Sequence, residues 1–145
     1  MKFTVEITIN LPRNRVITLF DSTENLYKWQ PGLISFEHES GTAGEVGAKS
    51  RLEYKMGKRE VKMVETITVR NFLDEFSAIY EAKDVWNEVK NYFHEVDEST
   101  TKWVSENEFR CNGFMKLFAL LLPGSFKKET MKYLKYFKEF AETEA

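Results

Sequence analysis

Cysteine is almost missing from this chain, with Cys111 alone among 145 residues. No internal disulfide can form, so packing must hold the fold, and a reducing, cytoplasmic setting fits best. Long hydrophobic runs are missing as well. Leu117–Leu122 is six apolar residues between Lys116 and Pro123, against the roughly 20 that a membrane-spanning helix needs. Stable membrane insertion is therefore not expected, while transient contact through Leu120–Leu122 is compatible with the pattern. The N-terminal MKFTVEITIN alternates apolar with polar residues and does not read as a signal peptide. An excess of positive charge is also lacking. There are 21 basic residues and 23 acidic ones, for a net charge of −2, so nucleic acid is not an expected partner.

Metal and nucleophile signatures are absent too. Two histidines and one cysteine do not make a metal set. His94-Glu95 lacks the second histidine of a zincin helix and falls in a predicted strand. No G-x-S-x-G elbow is present, and Cys111 reads as a small buried apolar residue. Gly41, Gly44 and Gly47 join two strands without a following Gly-Lys-Ser/Thr, and Glu45 would repel an anion, so no nucleotide fingerprint fits. No metal and no cofactor is expected.

Aromatic rings are abundant: twelve Phe, six Tyr and three Trp, more than a minimal core requires and enough to line a cavity or fill one. The length suits a single domain over residues 1–145. Phe3, Val5, Ile7 and Ile9 alternate with polar residues and predict a strand with one buried face. Pro12 suits the first turn of a short helix striped by Val16, Ile17, Leu19 and Phe20. A second short helix is expected to be capped by Asp21, with Glu24 at capping-box spacing, and to end at Pro31-Gly32. Six strands then follow, at about 33–40, 48–56, 59–70, 75–83, 85–97 and 100–112. After Gly113 comes a long helical segment broken at Pro123-Gly124. In it Phe126, Thr130, Tyr133, Leu134, Phe137, Phe140 and Ala141 form one apolar stripe, with lysines opposite.

This order predicts an α+β architecture: a seven-stranded curved antiparallel sheet wrapped around the long C-terminal helix, with two short helices between strands 1 and 2. A curved sheet gripping one helix leaves a space that can hold a ligand. The order β-α-α-β6-α resembles the helix-grip superfamily, the START and Bet v 1-like group called SRPBCC, in its polyketide cyclase/dehydrase-like branch. Local phrases carry the resemblance over nearly the whole chain. KFTVEITINLPRNRVITLFDSTENLYKW is similar to that group's opening strand and two-helix clasp. ISFEHESGTAGEVGAKSRLEY is similar to its second hairpin, Ser99-Thr100-Thr101-Lys102-Trp103 to its entry into the last strand, and LLLPGSFKKETMKYLKYFKEFAE to its closing helix. The resemblance implies the fold; it implies no universal catalytic signature, because members range from lipid carriers to cyclases.

Strand parity selects the residues facing the space. The second strand gives Ile34, Phe36 and His38. The third gives Ser50, Leu52, Tyr54 and Met56, and the fourth Val61, Met63, Glu65, Ile67 and Val69. The fifth gives Phe76, Ala78, Tyr80 and Ala82. The sixth is open between a face with Asn87, Asn91 and Phe93 and one with Trp86, Tyr92 and His94. The seventh gives Trp103, Ser105, Asn107, Phe109 and Cys111. The candidate ligand-binding set takes Phe36, His38, Leu52, Tyr54, Met63, Glu65, Ile67, Ala78 and Tyr80 from strands 2 to 5. Asn91, Phe93, Trp103, Asn107 and Phe109 come from strands 6 and 7. Leu122, Phe126, Thr130, Tyr133 and Phe137 come from the helical segment.

Three readings follow. The first is a protein holding an apolar or aromatic small molecule. The second is a cyclase or dehydratase with His38, Glu65 and Tyr80 as acid–base candidates, since abstraction of a proton from an acidic C–H needs a positioned base. The structural reading of His38 and Glu65, as hydrogen-bonded wall residues, is favoured over a proton-transfer pair. The third is lipid or quinone transfer. Either a monomer or a homodimer is compatible with the sequence.

Overall fold

The computed structural model describes residues 1–144. Strand β1 (Lys2–Ile9) leads into α1 (Arg13–Phe20) and α2 (Thr23–Trp29). Six strands follow: β2 (Leu33–Ser40), β3 (Lys49–Met56), β4 (Arg59–Asn71), β5 (Glu75–Ala82), β6 (Val85–Asp97) and β7 (Thr100–Cys111). The chain continues in α3 (Gly113–Leu121) and α4 (Ser125–Glu144). The predicted limits of β2 to β7 stand within one residue of those observed. The seven strands make one sheet in the order β1-β7-β6-β5-β4-β3-β2, antiparallel at every pairing. The meander from β2 to β7 places β2 at one edge, and β1 pairs with β7 to form the other.

The two short helices are set by local chemistry. Pro12 precedes α1, and its carbonyl accepts the amides of Arg15 and Val16, both at 3.0 Å. Asp21 is not the cap of α2. Ser22 holds that position, its Oγ accepting the Asn25 amide at 3.2 Å, which leaves Asp21 free to face Arg70. Thr101, fully buried, donates its hydroxyl to the Leu11 carbonyl at 2.8 Å and ties the entry of α1 to β7.

The core lies at one end of the molecule. There α1, α2, β1, β6, β7 and α4 from its middle onward meet around Ile9, Val16, Leu19, Trp29, Phe93, Trp103, Leu134, Phe137 and Ala141. Phe20 is its hub, with ring centroids 5.0 Å from Phe93, 5.5 Å from Trp103 and 5.8 Å from Phe137. Each fully buried Leu or Phe contributes about 2 kcal/mol, and edge-to-face pairs add to that. On α4 only Leu134, Phe137 and Ala141 are fully buried. Toward its N-terminus the same stripe, Thr130 and Phe126, is half-buried, because the core has ended there and a space begins.

Of four register shifts in the sheet, two change which predicted residues line the concave face. In β2 the register shifts between Leu33 and Ser35, so Ile34 becomes the extra residue and is 49% exposed instead of inward. In β4 it shifts between Ile67 and Val69. Val69 thereby pairs with Ser77, on the convex side, and Arg70 pairs with inward Phe76. A bulge adds one residue to one strand and flips every side chain beyond it.

Candidate functional site

Between the concave sheet, α2 and the N-terminal half of α4 lies a cavity of about 960 Å³. Of the residues selected by sequence, Phe36, His38, Leu52, Tyr54, Met63, Glu65, Ile67, Tyr80, Asn91, Trp103, Asn107, Phe109, Thr130 and Tyr133 border it. Five do not. Ala78 sits between Ile67 and Val89 across the sheet, and these longer neighbours cover its methyl, leaving it 1% exposed. Phe93 and Phe137 belong to the aromatic core, where helix and sheet touch. Phe126 stacks on Phe109 at 4.7 Å, behind the cavity wall. Leu122 lies past the end of α3 and is exposed to solvent.

Five of the polar side chains fall in one row across the sheet. Register sets His38, Ser50, Glu65, Tyr80, Asn87 and Phe109 side by side on β2 to β7. Adjacent strands are about 4.8 Å apart, so His38 stands two strands from Glu65, with Ser50 between them. His38 is exposed, and its Nε2 donates to the Gly41 carbonyl at 2.8 Å. Glu65 takes Tyr80 as its partner instead, the phenol donating to Oε2 at 2.7 Å. A proton-transfer pair of His38 and Glu65 is therefore not formed; the pair brought together is Glu65 with Tyr80.

Burial pushes the Glu65 carboxyl up from the ordinary range, and the Tyr80 hydrogen bond offsets part of that rise. Burial, followed by the neighbouring Glu65, pushes the Tyr80 hydroxyl well up. Burial likewise raises Tyr54, with the charges of Tyr133 and Glu65 adding to it. Tyr133 is pushed up to about 12, chiefly by burial. Three neutral phenols and a carboxyl that holds its proton more tightly than usual thus face one space. Tyr54 donates to Gln30 Oε1 at 2.5 Å, which fixes the phenol against α2. Asn91 accepts the Trp103 indole N–H at 2.9 Å, a bond that leaves its amide nitrogen for the cavity. Asn107 donates to Ser105 Oγ at 3.0 Å.

Charge sits elsewhere on the rim. Arg70 binds Asp21 through two hydrogen bonds, at 3.0 and 2.7 Å, and both residues border the cavity beside Gly44. Periodicity alone did not select Arg70, because only a bulge turns it inward. Phe20, Trp29 and Gln30 also border the space and were not selected, since strand parity says nothing about helical residues. Capping by Ser22 rather than Asp21 is the local signal that releases Asp21 for the rim. Among the described residues no group of three or more His, Cys, Asp or Glu is placed to hold a metal ion.

No protein-family model matches the chain, and no curated protein matches it. Solved structures do. A conserved protein from Geobacillus kaustophilus is similar over 99% of this chain and 96% of its own, at TM-score 0.82 and 14% identity. The ZhuI aromatase/cyclase from Streptomyces sp. R1128 is similar over 98% of this chain and 93% of its own, at TM-score 0.78 and 12% identity. Ara h 8.0201 is similar over 99% and 98%, at TM-score 0.78 and 14% identity. The chain has the helix-grip fold that these proteins share, and identities this low carry the fold alone.

Proposed function

We propose that this protein binds an apolar, ring-containing small molecule between the curved sheet and α4. The cavity of about 960 Å³ carries the proposal. Its size is at the upper end of small-molecule sites, and an apolar wall with a few convergent polar groups is the usual make-up of one. The row from Ser50 through Glu65 and Tyr80 to Asn87 suits a ligand with one or two hydroxyl or carbonyl groups and no net charge. A phenol, a buried carboxyl and amides can all pair with such groups, and no cation faces Glu65 from within the row.

A Trp86→Phe variant tests it, because Trp29 and Trp103 border the cavity whereas Trp86 packs under Arg110 on the convex side. An uncharged naphthalene-class probe should quench the remaining indoles saturably. Val89→Phe and Leu52→Phe, which place extra ring atoms inside, should weaken binding by at least roughly tenfold, or about 1.4 kcal/mol. Equal binding by the filled variants would overturn the proposal.

The Glu65–Tyr80 pair favours a second reading, acid–base chemistry of the cyclase or dehydratase kind on the same ligand. In its ionised form a buried carboxyl with a raised pKa, hydrogen-bonded to a phenol inside a cavity, is suited to taking a proton from an acidic C–H. The name of one structural neighbour, an aromatase/cyclase, agrees with that chemistry. Under this reading Glu65→Gln keeps probe binding and loses turnover of a poly-β-keto substrate, whereas under simple binding no turnover exists to lose.

A further inference from the structure

Helix α3 faces the wrong way for a packed helix. It turns Met115, Phe118 and Ala119 toward the molecule, all half-buried, and buries none of its residues fully. At about 100° per residue, Phe114, Leu117, Leu120 and Leu121 fall on one arc of roughly 120° on the opposite side. Their exposures are 70%, 52%, 72% and 70%, and Leu122, next in the chain, is 51% exposed. An apolar face of this kind marks a surface that meets something less polar than water.

Charge that follows this helix in the chain points to the partner. A shallow cleft of about 540 Å³ opens at Gly124, directly after α3, and Lys127, Lys128, Lys132 and Lys135 line it together with Met131 and β1. Lys132 pairs with Glu129 at 3.4 Å; Lys127, Lys128 and Lys135 have no ion-pair partner among the described residues. Lys116 stands at the edge of the apolar arc. Residues 112–135 thus hold five lysines and one acidic residue, in a chain whose net charge is −2. Two copies meeting through α3 would bring these lysines together and repel. An apolar helix face bordered by lysines instead fits a bilayer with anionic headgroups, the leucines entering the acyl boundary and the ammonium groups meeting phosphate.

We infer that α3 and the lysine cleft form a docking surface for an anionic membrane. The surface is joined to the cavity by rings: Phe118 packs edge-on against Phe126 at 6.0 Å, and Phe126 stacks on the cavity residue Phe109. The inference stands independently of what the cavity holds.

Co-sedimentation of the full chain with vesicles tests it. Phosphatidylcholine vesicles containing phosphatidylglycerol should pellet the protein, phosphatidylcholine alone should do so at least about tenfold less well, and added salt should weaken the binding. Leu120→Asp with Leu121→Asp should lower it by a further tenfold or so without altering the thermal midpoint, since both side chains are exposed. Lys127→Glu with Lys128→Glu should remove the preference for phosphatidylglycerol. Val96→Asp, an exposed apolar residue on another surface, should change nothing. Failure of the wild type to pellet with phosphatidylglycerol vesicles would overturn the inference, as would undiminished pelleting of the double aspartate variant. A wild-type dimer in solution that the aspartates dissociate would also overturn it, by assigning the face to a second copy.

Discussion

Glu65 is a buried carboxyl on the cavity wall, hydrogen-bonded to Tyr80. Its folded pKa is raised by burial, so between its unfolded value and the folded one the native state holds more protons than the unfolded chain. Its contribution to stability is therefore fully present at acidic pH and is lost as pH rises through the folded pKa. Glu65→Gln removes that loss. The variant should melt above the wild type at pH 8 and converge with it near pH 4, as read by calorimetry across pH; identical profiles would deny that Glu65 titrates in a buried setting. Tyr80→Phe acts in the opposite sense on the same group. It removes the hydrogen bond that lowers the carboxyl pKa, so a carbon-detected NMR titration of the Glu65 carboxyl should find its midpoint shifted upward. A downward shift would show that the phenol does not donate to it.

At the scale of elements, the turns and irregularities matter more than the regular stretches. Gly32 leaves α2 with φ +84°, and a Cβ there would stand 2.4 Å from the Lys55 carbonyl oxygen. Its own carbonyl accepts the Lys55 amide at 2.7 Å, so the backbone cannot retreat. Gly32→Ala should cost about 2 kcal/mol or more. Gly47→Ala, also at positive φ but with open space around it, should cost about half of that. Urea denaturation compares the two, and equal losses would remove the steric account of Gly32. The strands were readable because alternation and turn residues agreed, from Met56-Gly57-Lys58 to Asp97-Glu98-Ser99. Two bulges were not readable, since nothing in the residue types around Ile34 or Thr68 announces an unpaired residue. Their effect fell on function: the β4 bulge exchanges an inward Val69 for Arg70 and so builds the charged rim with Asp21. The Asp21 cap failed for a related reason. Asp21 and Ser22 are both good caps, and the choice between them was made by Arg70, which lies 49 positions away in the chain.

The whole molecule divides the labour of its rings. Phe20, Trp29, Phe93, Trp103 and Phe137 close one end, and the other end stays open because α4 has passed its last fully buried residue on the N-terminal side, Leu134. Composition alone left undecided whether twenty-one aromatic residues would fill the interior, since both outcomes use the same residues in the same alternation. What decides is the curvature of the sheet relative to α4, a property of the assembled chain. The central claim, that the open half is a ligand site, is tested most directly by following backbone amides in an NMR titration with an uncharged naphthalene-class probe. The account predicts saturable shifts at Ser50, Glu65, Tyr80, Asn91 and Tyr133, with Trp86 and Tyr92 on the convex side unmoved. Shifts confined to the convex side or to α3, or no shift at any probe concentration, would contradict it.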